Sequence, residues 1–198
     1  METGFCSATV VNPPDATGRR TLVTAAHCVK RVGEAVTYIP RNESRSIPCS
    51  VVAIDRQADI AILSTDAPQP DLPFLVVAVQ TPAIGSEVLH AGFGRDRPAN
   101  VERGTVTSAI LPNGQVRYRL SVSPGDSGGG ICFTSAGELL SPVCCTTAFG
   151  PAVGDTYGGS PERVRDMLNR PAWFIDLPPI AMPPPPVFEV PQPMPAKK

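Results

Sequence analysis

Short β-rich runs of apolar residues, separated by turn-forming residues, recur along this chain: Ser7–Val11, Leu22–Thr24, Ala35–Ile39, Ser50–Ile54, Ile60–Leu63, Val88–Ala91, Thr105–Leu111, Val116–Val122, Gly130–Phe133 and Leu139–Ala148. Their length and their content of Val, Ile, Thr and Tyr suit pleated strands, and the apolar spacing of helices is nearly absent. Asn113-Gly114 separates two of the runs and suits a tight hairpin turn, because both residues tolerate positive φ. The pattern predicts an antiparallel all-β fold. One helix is expected: Ser160-Pro161-Glu162 reads as N-cap, first helical residue and acidic first turn, and Pro171 would close it.

A Pro-rich connection, Asp66–Pro73, and a loop at Thr81–Ser86 divide the runs into two β units with a crossover. The expected organisation is residues 1–80, residues 81–176 with the helix, and a tail over residues 177–198. That tail, beginning at Leu177, is so rich in proline that it cannot sustain a sheet ladder; polyproline-II geometry is expected, as a spacer or as a docking segment for a domain that binds such helices.

With 198 residues the chain can bury one ordinary core or two small ones. Charged residues make up 18 % and the net charge is −1, so no long-range field draws polyanions, and nucleic acid is not an expected partner. No apolar run approaches the ~20 residues that cross a bilayer, so no membrane association is expected either. The opening METGFCSATVV lacks a basic start followed by an apolar stretch, so any export signal has been removed or omitted. Six cysteines in a β-patterned chain nevertheless suggest an oxidising compartment.

Three stretches carry chemistry. In Ser123-Pro124-Gly125-Asp126-Ser127-Gly128-Gly129-Gly130 a serine sits among glycines, which let a main chain turn tightly and aim N–H groups at an attacked carbonyl. Leu22-Val23-Thr24-Ala25-Ala26-His27-Cys28 holds one of only two histidines, and Ala58-Asp59-Ile60-Ala61-Ile62-Leu63 opens an apolar strand with an acid. The other histidine, His90, has no motif around it and reads as structural or surface. In that order, TAAHC, DIAIL and GDSGGG resemble the signature blocks of the trypsin-like, chymotrypsin-fold serine peptidases, over about Gly4 to Ile175. Ala91-Gly92-Phe93-Gly94 resembles the segment that opens that family's second barrel, and Trp173-Phe174-Ile175 the end of its C-terminal helix.

The resemblance implies two antiparallel six-stranded barrels with the active site between them. It implies a serine endopeptidase acting on protein or peptide substrates: Ser127 as nucleophile, His27 as general base, Asp59 orienting the histidine, and the N–H groups of Gly125 and Ser127 as oxyanion hole. No metal or organic cofactor is required, and a secreted or periplasmic location is implied. Cys6 and Cys28 match the family disulfide beside the catalytic histidine. Cys132 has Cys144 or Cys145 as partner on the next strand, and Cys49 takes the remaining one or stays free. Ser121 matches the base of the primary specificity pocket, Phe149 and Gly150 its wall, and Asp155 the opposite wall. This combination ranks an aromatic or aliphatic P1 residue above a basic one.

The start of the chain departs from the pattern. Family members activated by proteolysis pair a freed terminal amine with the aspartate before the nucleophile, here Asp126, and the five residues before Cys6 do not supply that terminus. Either the chain is truncated or it is built like compact bacterial members that need no such step, the reading that the short His27-to-Asp59 spacing favours. Two other functions fit the sequence: a catalytically silent trypsin-fold binding protein, and an adaptor that recruits partners through its tail.

Overall fold

Strands form over most of the β-rich runs, though β-sheet also forms at residues 100–104 and 155–159, where no run was expected. A computed structural model describes residues 5–13, 15–41, 43–93, 100–133, 137–146 and 155–170, with backbone alone at Asn100, Cys132, Phe133, Cys145 and Thr146. The expected tail and Trp173–Ile175 lie outside the described residues. β1 (Thr9–Val11), β2 (Thr21–Thr24), β3 (Ala35–Tyr38), β4 (Ile47–Asp55) and β5 (Ile60–Thr65) make one antiparallel sheet, ordered β1-β2-β5-β4-β3. β6 (Glu87–Gly92), β7 (Asn100–Val106), β8 (Gln115–Arg119), β9 (Gly130–Phe133), β10 (Leu139–Thr146) and β11 (Asp155–Gly159) close a barrel, ordered β10-β11-β8-β7-β6-β9.

The second unit is thus the six-stranded barrel that the resemblance implies. The first is a five-stranded sheet, and among the described residues no ladder joins its edges β1 and β3. The backbone of β1 is engaged elsewhere. Asn12 N–H donates to the Leu75 carbonyl at 2.9 Å and Leu75 N–H to that of Val10 at 3.0 Å, so the linker between the units, not β3, covers that edge. β4 carries a register shift between Val51 and Ala53 that bends it over the sheet.

Two departures from the sequence expectation have identifiable causes. The run Thr105–Leu111 leaves the ladder after Val106: Ser108 Oγ accepts from Arg117 N–H at 2.9 Å and donates to the Ala109 carbonyl at 2.7 Å, a side-chain substitute for strand pairing. β11, which the sequence does not announce, holds two glycines, Gly158 and Gly159, and is a strand because β8 and β10 pair with both of its edges.

Three apolar clusters hold the molecule together. One, including Leu22, Val51, Ile54 and Leu63, lies inside the first sheet, and another, including Val88, Tyr118, Ile131 and Leu140, fills the barrel. The third joins the units: Val23, Ile60 and Ile62 of the first pack with Val77, Leu139 and two residues of the helix, Val164 and Met167. That helix, α1 (Pro161–Asn169), begins at the predicted cap, Ser160; Pro171, expected to close it, lies outside the described residues. Ser160 Oγ accepts from Arg163 N–H at 3.2 Å, and Glu162 accepts from both the N–H (2.6 Å) and the hydroxyl (2.8 Å) of Thr81. Arg163 pairs with the buried Asp55 at the end of β4.

Ser160→Ala is expected to lower unfolding stability by about 1 kcal/mol, since it deletes the N-cap acceptor of a helix that contributes to the joining cluster. Urea denaturation followed by circular dichroism checks this; an unchanged midpoint would contradict it.

Candidate active site

His27 is placed by its neighbours. β2 delivers the buried Ala25 and Ala26, after which Ala26–Cys28 forms a 3₁₀ turn. Ala26 N–H donates to the Asp59 carbonyl at 3.2 Å. Arg56 gathers the turn's carbonyls, donating to Ala26 (3.0 Å), Val29 (3.3 Å) and Lys30 (2.6 Å). The imidazole itself is left 47 % exposed at the surface.

Asp59 comes from the link between β4 and β5. Asp55 Oδ1 accepts from Gln57 N–H at 3.0 Å and Ala58 N–H at 3.1 Å, closing a turn that leaves Asp59 with φ of 55°. That left-handed conformation is uncommon for a residue with a side chain, and it turns the carboxylate back onto the His27 turn. Oδ1 accepts from the His27 backbone N–H at 2.8 Å, and Oδ2 lies 2.7 Å from Nδ1 of the ring. A carboxylate only accepts, so Nδ1 carries the hydrogen and Nε2 keeps its lone pair for a proton from elsewhere. Burial alone would raise the Asp59 pKa. The hydrogen bonds from the His27 ring and from Cys144, with the ring's charge and the His27 N–H, outweigh it and leave the carboxyl below its ordinary 3.8. The stability this contributes is present above that ordinary value and is lost as pH falls through the lower folded one.

Ser127 sits in a turn built from its own backbone. Asp126 N–H donates to the Ser123 carbonyl at 3.0 Å, Gly129 N–H to that of Asp126 at 2.8 Å, and Ser123 N–H to Asp126 Oδ2 at 2.7 Å. Gly125 and Gly128 adopt φ of 98° and 83°, which only glycine enters readily. Among the described residues, the Gly125 and Ser127 N–H groups donate to no protein acceptor, so both are available to a bound oxyanion. The Ser127 hydroxyl makes a long contact, 3.4 Å, with the Cys144 carbonyl.

The turn is stitched to the unit that holds His27. Ser7 N–H donates to the Ser127 carbonyl at 2.7 Å, Ser7 Oγ to that of Gly125 at 2.9 Å, and Thr24 Oγ1 to that of Ser7 at 2.8 Å. A Cβ on Gly128 would lie 2.1 Å from the Ser7 oxygen and 2.2 Å from Thr24 Oγ1. The neighbouring residue, Cys6, is bonded to Cys28 across a Cα separation of 6.2 Å, as the resemblance implies. Donor atoms of Cys6, His27 and Cys28 cluster within 4.8 Å, but the two sulfurs are bonded to each other, which removes the thiolates that a metal would need.

The remaining expected residues are more scattered. Ser121 is exposed just beyond β8. Asp155 begins β11 opposite Arg119, with its carboxylate 3.5 Å from Arg117 Nε, so it already faces a cation. Phe149 and Gly150 lie outside the described residues. Cys49 is free and wholly buried, and burial, with the charge of Asp66, pushes its thiol up to about 11. On β9, Cys132 stands opposite Leu139 rather than opposite Cys144 or Cys145. Sequence reasoning missed Ser7 and Arg56, and read Cys144 only as a disulfide partner. No motif marks them, because what they contribute are contacts made through the fold.

A six-stranded antiparallel barrel beside a second sheet, with a His–Asp pair on one unit and a glycine-rich serine turn from the other, defines the trypsin-like fold class. The trypsin-like peptidase domain model matches residues 3–140, and the chain belongs to that family. No curated protein matches it. Among solved structures it is similar to an inactive form of Rv3671c from M. tuberculosis, a serine-to-alanine mutant, at 22 % identity and a TM-score of 0.62, covering 80 % of this chain and 77 % of that one. A serine endoprotease from Yersinia pestis is similar at 22 % identity and a TM-score of 0.64, covering 81 % and 60 %. The HtrA-type protease AlgW with a tripeptide is similar at 19 % identity and a TM-score of 0.69, covering 85 % and 56 %. This chain therefore spans little more than half of the last two, and at such identities the likeness is one of fold.

Gly128→Ala is expected to lower stability by more than about 2 kcal/mol, since backbone atoms cannot yield to the added methyl group. Loss of the Cys6–Cys28 bond in Cys28→Ser should cost about 3 kcal/mol for a loop of this length. Chemical unfolding measures both; a Gly128→Ala protein as stable as wild type would refute the described seam.

Proposed function

We propose that the chain is a serine endopeptidase that cleaves peptide bonds through an acyl-enzyme. The observation that carries this reading is the double grip of Asp59 on His27, at 2.8 Å to the backbone N–H and 2.7 Å to Nδ1. It fixes the tautomer whose Nε2 can accept the Ser127 proton as the hydroxyl attacks a carbonyl, and later return that proton to the departing amine. The tetrahedral oxygen would be held by the Gly125 and Ser127 N–H groups. Membership of the trypsin-like peptidase family and the fold shared with proteases support the reaction class, and AlgW holding a tripeptide supports a peptide as substrate. The disulfide supports a secreted or periplasmic location.

An apolar or aromatic P1 residue ranks above a basic one in this reading. Ser121 brings no charge to the pocket base, and Arg117 beside Asp155 offsets the one carboxylate expected in the wall.

Ser127→Ala should fold normally and lose hydrolysis of dye-labelled casein by several orders of magnitude. Retained turnover would sink the assignment. Asp59→Asn should cost on the order of 10⁴ in kcat, because an amide can stabilise the wrong tautomer. A peptide library read for P1 should select large apolar residues; selection of Arg or Lys that is lost in Asp155→Ala would reverse the ranking.

A further inference from the structure

Buried histidines normally satisfy both ring nitrogens. His90, on β6, is 1 % exposed and satisfies one. Its Nδ1 lies 3.1 Å from the Gly130 carbonyl, which can only accept, so Nδ1 carries the hydrogen and the neutral ring presents a lone pair at Nε2. That lone pair has no hydrogen-bond partner among the described residues and stands 3.9 Å from Oδ2 of Asp126. Gly92 leaves the two groups face to face: a Cβ there would come within 2.8 Å of Nε2 and 2.4 Å of Asp126 Oδ1. Two acceptors confront each other in a buried site, an arrangement that a single proton reverses.

Asp126 immediately precedes Ser127, and the same Oδ2 takes the Ser123 N–H at 2.7 Å. Among the described residues, the other charged group facing His90 is Glu102, opposite it on β7, while β9 presents Ile131 and the Gly130 carbonyl. Burial holds the His90 pKa below the ordinary 6.5, against the opposing pull of the Gly130 hydrogen bond and of the Asp126 and Glu102 charges. The folded chain therefore binds this proton less readily than the unfolded chain, and stability falls as pH drops from that ordinary value through the folded one.

We propose that His90 is a positioning residue for the nucleophile turn and makes that turn proton-sensitive. When the imidazole takes up a proton from solvent, its new Nε2–H competes with Ser123 N–H for Asp126 Oδ2. To reach hydrogen-bond length the carboxylate moves by about 1 Å, loosening the closure of the turn and taking the Gly125 and Ser127 N–H groups out of working geometry. The loss of activity rests on the peptidase reading; the movement does not.

Nuclear magnetic resonance of the whole chain, titrated from about pH 8 to about pH 5, tests the movement. The His90 ring and the amides of Ser123, Gly125 and Ser127 should shift with one shared midpoint, and in His90→Gln the amide shifts at that midpoint should vanish. Turn amides that do not follow His90 in the wild type overturn the proposal, whether or not the variant folds. For activity, at pH below the His90 midpoint found by resonance, casein hydrolysis should fall ~100-fold per pH unit in the wild type, where two protons act, and ~10-fold in His90→Gln, where one does. Equal limbs in two folded proteins would also overturn it. A wild type that hydrolyses nothing, yet whose His90 and turn amides titrate together, would refute the peptidase reading and leave the proton link standing.

Discussion

The structure depends on a close approach of backbones at Gly128. There the serine turn, carried by the barrel, presses against Ser7, Thr24 and Ala25 of the other unit with no room for a side chain. Three hydrogen bonds, from Ser7 N–H, Ser7 Oγ and Thr24 Oγ1, tie Ser127 to the strand end that leads into His27. Because the backbone of Ser7 forms one side of the contact, side-chain rotation alone cannot relax it, and Ser127 is held in one position relative to the first sheet. The cluster around Val23, Ile60, Leu139 and Val164 supplies apolar adhesion between the units, but it has no directionality. Registration comes from the seam.

Around that seam the polar groups divide the work. Arg56 and Asp55 are structural: one collects the carbonyls of the 3₁₀ turn, the other caps the turn that throws Asp59 into positive φ. Asp59 then acts on the histidine, and Asp126 on the serine turn. Each carboxylate thus faces an imidazole, with opposite results. His27 is half exposed and gives Asp59 a hydrogen, whereas His90 is buried and turns a lone pair toward Asp126. The difference lies in what the other ring nitrogen meets: the Gly130 carbonyl takes the only hydrogen of neutral His90.

Much of this was legible in the sequence. The three motifs single out His27 and Asp59, which the structure brings into contact, and Ser127, on its glycine turn, because each motif is a short local stretch. The helix was legible at its start, through Ser160 as cap and Pro161 as first residue. What escaped is long-range. The open first sheet follows from the pairing of β1 with Leu75, far along the chain, and β11 is a strand only because neighbours flank it. His90 has no motif, since its role depends on Asp126, brought beside it by the pairing of β6 with β9. Asp155 was expected only as a pocket wall; it begins β11, and its partner Arg117 is two positions off the direct cross-strand pair and could not be read without the register.

The claim at the centre of this account is that the fold activates one serine. Reaction of the folded, wild-type chain with a fluorophosphonate, followed by peptide mapping, tests it without any assumption about substrate. The account predicts one adduct per chain, on Ser127, and none after unfolding. A folded protein that stays unlabelled, or that carries its adduct on another residue, would contradict it.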